Sequence, residues 1–140
     1  MSERDMRRNV MRRLRELDAK PVENPVWPGT PDVNYVEGWI ELKWARAWPV
    51  NGNTSPVLIH HYTPQQRVWL ARRWKAGGNS CLLLQVGKEW LLFTGEVAAV
   101  HVGRATRVEL ERLAVRHWRN GLITEELISC LNNLRTQNAF

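Results

Sequence analysis

A chain of 140 residues with 44% hydrophobic and 24% charged side chains is long enough to build one core and too apolar to be a disordered chain. Twenty Lys and Arg against fourteen Asp and Glu leave a formal charge of +6, which favours a polyanionic partner such as nucleic acid, although simple solubility also accounts for it. No apolar run approaches the roughly 20 residues a bilayer span needs, and arginines stand where a signal peptide needs an apolar segment, so a cytoplasmic protein with no membrane role is expected.

From Glu3 to about Leu17, the apolar residues Met6, Val10, Leu14 and Leu17 recur at helical spacing. Arg4, Arg7, Arg8, Arg12, Arg13 and Arg15 fill much of the rest, which predicts a basic amphipathic helix. The segment KPVENPVWPG, Lys20 to Gly29, holds three prolines and is limited to an extended or irregular path. Two short strands follow, Asp32 to Val36 and Trp39 to Trp44, joined at Glu37-Gly38. Ala45 to Tyr62 reads as a long loop centred on NGNTSP.

Thr63 as N-cap, Pro64 at the first helical position and Gln66 completing a capping box predict a helix to about Ala76, stopped by Gly77-Gly78. Ser80 to Val86 and Glu89 to Thr94 read as strands around Gly87-Lys88, the first so apolar that it belongs in the middle of a sheet. Thr106 with Glu109 is a second capping box, opening a helix expected to reach about Trp118 and end at Gly121. Leu127, Ile128, Leu131 and Leu134 mark a final helix. Cys81 and Cys130 lie in apolar surroundings and read as reduced core residues without metal-ligand spacing. The order predicts an α/β (α+β) fold with a mixed sheet flanked by helices.

Charge interrupts the first hairpin, GTPDVNYVEGWIELKWARAW. Alternation places Glu41 and Lys43 on one face of the second strand and Ile40, Leu42 and Trp44 on the other, where they read as core. Symmetric closure about Glu37-Gly38 sets Val36 opposite Trp39, Asn34 opposite Glu41 and Asp32 opposite Lys43, so that all three charges converge. A one-residue slip would turn Asp32 into the core at high cost. Opposed β-carbons lie roughly 5 Å apart, close enough for two carboxylates to share a divalent cation beside an ammonium. That is a minimal kit for phosphodiester hydrolysis, although a solvated hairpin face also accounts for an E-x-K pair.

Pro31-Asp32, followed by Glu41-Leu42-Lys43, resembles the PD-(D/E)xK signature of the restriction-endonuclease-like nuclease superfamily. The fuller string, GTPDV, GWIELKW and TPQQ before a helix and an apolar strand, is similar to the VRR-NUC branch and to small phage nucleases related to Holliday-junction resolvases. The similarity spans about Glu3 to Val86. It implies that residues 1–140 form one nuclease domain, with a core at about 3–95 and a helical extension at about 104–136. It also implies that Asp32 and Glu41 bind Mg²⁺ or Mn²⁺, with the Leu42 carbonyl as a further ligand, and that Lys43 is the catalytic lysine. Gln66 matches the glutamine such nucleases place at the site edge, though the capping box explains it equally well. Many members add a glutamate from the first helix; Glu23 is preferred here for its short separation from Asp32, with Glu3 second and Glu16 also considered.

Given a nuclease, Arg7, Arg8 and Arg12 become phosphate contacts, and Trp44 and Trp48 flank the site as platforms for a splayed base. His60 and His61, being adjacent, point apart and do not chelate one ion. The expected activity is a metal-dependent, phage-encoded DNA endonuclease cutting branched or structured DNA as a homodimer. The alternatives are a catalytically silent DNA-binding module of the same fold, or a structural or inhibitory phage protein.

Overall fold

Gly38 and Gly29, two glycines with no room for a β-carbon, help set how the hairpin sits in the molecule. The computed structural model describes residues 2–24 and 26–136, so Pro25 and the ends of the expected 1–140 domain lie outside the described residues. Across the described residues, six strands form one sheet in chain order: β1 (Lys20–Pro21), β2 (Val33–Tyr35), β3 (Gly38–Ala45), β4 (Asn79–Val86), β5 (Glu89–Thr94) and β6 (Arg116–Trp118). Only β3 and β4 pair in parallel, and the sheet is therefore mixed. Five helices flank it: α1 (Glu3–Arg13), α2 (Pro64–Lys75), α3 (Gly95–His101), α4 (Arg107–Leu113) and α5 (Thr124–Asn132). The fold is α+β, as expected.

The apolar periodicities become two cores. Met6 and Val10 of α1, with Leu14 at its C-cap, join Leu127 and Leu131 of α5 over Ile40, Leu42, Leu83 and Leu92. On the opposite face, Leu70 of α2, Ala98 of α3 and Leu110 of α4 pack on Leu82, Leu84, Leu91 and Phe93. With helices on both faces, alternate leucines of β4 are buried on opposite sides, which is why its sequence is a continuous apolar run. Among the described residues no helix is long and apolar enough to cross a membrane. Cys81 and Cys130 are buried thiols, and burial pushes that of Cys81 well up.

The chain departs from the expected elements at three places. First, the hairpin turns at Val36-Glu37 rather than Glu37-Gly38, so Tyr35 pairs with Gly38 and Asn34 with Trp39. A β-carbon on Gly38 would lie 2.0 Å from the carbonyl oxygen of Asn79, which keeps this glycine in the strand against β4. Val36 is instead 67% exposed in the turn, its N–H donating to the Leu17 carbonyl at 2.9 Å. The register moves by an even step, so no side chain changes face. Second, the helix opened by Thr106 stops at Leu113 instead of Trp118. Ala114 is extended, Val115 N–H donates to Leu92 O at 2.7 Å, and Arg116–Trp118 completes the sheet on β5. The open edge of β5, with unpaired backbone groups to satisfy, outweighs helix propensity there. Third, α3 had no sequence expectation, and the two-residue β1 takes the extended option left open for the start of the proline-rich segment.

Candidate metal centre on strand β3

Glu41 and Lys43 share a face of β3 and lie in register with Leu82 and Leu84 of β4. The face is covered rather than solvated: Glu41 is 1% and Lys43 3% exposed. Asp32 sits just before β2. Because Val33 pairs with Ile40, continuing the ladder brings Asp32 opposite Glu41, where symmetric closure had placed it opposite Lys43. Its Oδ2 accepts the Leu42 N–H at 2.9 Å, a donor on the β3 edge that β2 is too short to reach, and its own carbonyl accepts Val22 N–H at 2.8 Å. Asp32 is thus clamped by backbone on two sides. In a strand the N–H and C=O of one residue point to the same edge, so the Leu42 carbonyl faces the open side on which Asp32 lies.

Neither carboxylate oxygen of Glu41 meets a donor among the described residues. Burial raises its pKa well above the usual carboxylate range. Hydrogen bonding and like charge from Asp32 add to the rise, the Lys43 ammonium opposes it, and Glu3 contributes a further push upward. The two carboxyls are close enough to share a proton, but as two anions neither can donate to the other, and the buried one is left without a partner. An ionised carboxyl in that position is costly unless a cation completes it.

Lys43 is held from the other side. Its Nζ donates to the His61 carbonyl at 2.8 Å and lies 5.5 Å from the centre of the Tyr62 ring. His61 adopts a left-handed φ of 60°, and Tyr62 is anchored by donating to Ala98 O at 2.9 Å, so the end of the long loop forms a fixed wall over the lysine. The same loop is tied down at Val57, whose N–H donates to Ala105 O at 2.9 Å.

Gln66 is used as a cap, its Oε1 accepting Thr63 N–H at 3.0 Å while Thr63 Oγ1 accepts Gln66 N–H at 3.2 Å. It still belongs to the neighbourhood of the hairpin. Gly29, at φ 89°, rests on the first turn of α2, where a β-carbon would lie 2.4 Å from Gln65 O and 2.8 Å from Gln66 N. This explains the glycine of GTPD in terms of packing.

Of the three glutamates considered for completing the site, Glu3 is the one whose charge reaches Glu41. Glu23, the preferred one, is exposed beyond β1, and Glu16 is exposed after α1. Short sequence separation misled because pairing of β1 with β2 carries Glu23 outward, whereas α1 packs across β3. Trp44 does not flank the charges, since it lies on the opposite face and packs against the α1 and α5 core. Trp48 is committed elsewhere, donating from Nε1 to Glu89 at 2.7 Å. Arg7, Arg8 and Arg12 line a groove of about 610 Å³ together with Arg4 and Arg15. Arg13 instead donates to Leu122 O at 2.9 Å and Thr124 Oγ1 at 2.8 Å, joining α1 to the start of α5.

A second cluster had no local signal in the sequence, because its members come from β5, α4 and β6. Glu89, Glu111 and His117 present ligand atoms within 4.8 Å of one another, a group able to hold a metal. Arg107 lies 3.5 Å from Glu89 and Arg119 3.5 Å from Glu111, so a metal there competes with two guanidiniums. Partial burial acts to raise the Glu89 pKa, but hydrogen bonds from Trp48 and His117 and the charge of Arg107 outweigh it and hold this carboxyl below its usual range. The arrangement is that of an ion-pair network joining three elements. No protein-family model, curated protein or solved structure matches the chain.

Proposed function

We propose that this chain is a metal-dependent DNA endonuclease of the PD-(D/E)xK kind, acting on branched or otherwise structured DNA as a homodimer. One observation carries the reading: Glu41 is buried with both oxygens lacking a donor, beside the Asp32 carboxyl and on the same face as Lys43. A hard oxygen donor set with an orphaned anion fits a divalent cation, and Asp32, Glu41 and the Leu42 carbonyl are the groups that would hold Mg²⁺ or Mn²⁺. When bound, such an ion neutralises the scissile phosphate and lowers the pKa of a coordinated water.

The protein's own groups do the rest. The clamp from Leu42 N–H holds the Asp32 carboxylate beside Glu41 before substrate arrives. Lys43, fixed by the His61 carbonyl, directs an ammonium into the same space, where it orients the nucleophile and stabilises added negative charge. The resemblance would give a site-edge role to the Gln66 amide nitrogen, which the cap leaves unused. The α1 arginines neutralise phosphates and position the DNA without reading sequence. Symmetric cutting of two strands requires two sites, hence the homodimer.

The test is cleavage of a four-way junction, a duplex and a single strand with Mg²⁺ or Mn²⁺. Cleavage that Asp32→Ala and Lys43→Ala abolish supports the assignment. If wild type cuts none of the three, or the variants cut as well as wild type, the assignment is wrong. Salt-dependent binding without cleavage in either metal would establish the silent DNA-binding module instead.

A further inference from the structure

Beside the hairpin, a groove of about 860 Å³ runs between Trp27-Pro28 and α2, where Pro64, Val68, Trp69 and Arg73 line it. Its volume is that of a ligand cleft, about 300–1,000 Å³. Trp27 is 68% exposed, yet its turn is pinned: Asn24 Oδ1 accepts the Trp27 N–H at 3.1 Å, and Thr30 Oγ1 donates to Trp27 O at 2.7 Å. The backbone carrying this large, exposed ring is thereby fixed. Opposite it, the Arg73 guanidinium lies 4.5 Å from the Trp69 ring centre, and Trp69 meets Trp39 edge-on at 5.3 Å. Trp39 shares the face of Glu41, two residues away and about 7 Å along β3. The Trp69–Trp39 contact thus brings one wall of the groove to within two residues of Glu41 along β3.

We infer that this groove binds an unpaired nucleotide of the DNA strand next to the scissile phosphate, which makes the substrate class DNA with a splayed or single-stranded segment at a branch. The inference rests on the nuclease reading for the position of that phosphate. Aromatic rings take the face of an unstacked base, and guanidiniums take its flanking phosphates. The charge agrees: Arg72 and Arg73 line the groove, and no carboxylate does so among the described residues. A duplex keeps its bases stacked on one another and cannot offer one to the groove without extruding it.

The experiment measures binding of the full chain to a labelled forked DNA and to a blunt duplex of equal length, in EDTA. Because Trp27 is exposed, Trp27→Ala is expected to keep the fold, as circular dichroism checks. It should weaken fork binding about 10-fold or more while leaving duplex binding within about two-fold. Arg73→Gln should flatten the salt dependence of fork binding by about 0.7 in log–log slope. The inference is overturned if Trp27→Ala binds the fork as wild type does, or loses fork and duplex alike. It is also overturned if sedimentation shows that Trp27→Ala turns a dimer into a monomer, since a second copy then fills the groove. The nuclease reading fails separately: fork binding that depends on Trp27 without cleavage in Mg²⁺ or Mn²⁺ keeps the groove and removes the enzyme.

Discussion

Replacing Glu41 with glutamine tests whether the centre on β3 is built to receive a cation. When both carboxyls are ionised, Asp32, Glu41 and Lys43 carry one surplus negative charge beside Leu82 and Leu84, and Glu41→Gln removes it without changing shape. A buried carboxyl lacking a donor costs about 1–3 kcal/mol and more when ionised, and Lys43 offsets part of this. The variant should therefore be about 1–2 kcal/mol more stable than wild type in EDTA at neutral pH. For a chain of this size each kcal/mol moves the melting temperature by about 3–4 °C, so a rise of about 3–8 °C is expected by calorimetry. Magnesium should reverse the order. At about 100 times its dissociation constant it adds about 2.7 kcal/mol to wild type and much less to the variant. The sign with pH follows from the raised Glu41 pKa. The cost of ionising it grows as pH rises through and above the usual carboxylate value, about 4.3, and the variant's advantage in EDTA should vanish below that value, where Glu41 is protonated in both states. A variant no more stable than wild type in EDTA, together with a wild type indifferent to both metals, would refute the reasoning.

Lys43→Ala is expected to reduce cleavage about 100- to 1,000-fold with DNA affinity retained, read from single-turnover kinetics beside a binding assay. Gly29→Ala should destabilise by about 2 kcal/mol or more in denaturant titration, since φ 89° is strained for alanine and its β-carbon meets Gln65 O at 2.4 Å. Replacing Arg8 and Arg12 together by Gln should lower the slope of log affinity against log salt by about 1.8 on duplex DNA, two phosphate contacts' worth. Glu89 has a folded pKa below its unfolded value, so its stabilisation is present above about pH 4.3 and is lost as pH falls through the lower folded value. Wild type should lose more stability than Glu89→Gln across that window in thermal melts.

Where local rules act alone, the sequence was sufficient. Thr63, Pro64 and Gln66 capped α2 as read, Gly77-Gly78 ended it, and the leucines of β4 declared a strand in the middle of the sheet. The separation of Ile40 and Leu42 from Glu41 and Lys43 was likewise legible, because strand alternation depends on nothing beyond the strand. Everything that depends on a second element had to wait for the tertiary structure. The register of the hairpin was decided by the approach of Gly38 to Asn79, and the end of α4 by the open edge of β5. Packing of α1 across β3 selected Glu3 over Glu23 as the third charge felt at Glu41. The burial of Glu41 and Lys43 came from β4 and the returning loop, and it is this burial that turns an E-x-K pair from a wet hairpin face into a covered pair with two unmet carboxyl oxygens. Spacing determines which side chains share a face. What covers that face is set by residues far away in the chain, and no local pattern encodes it.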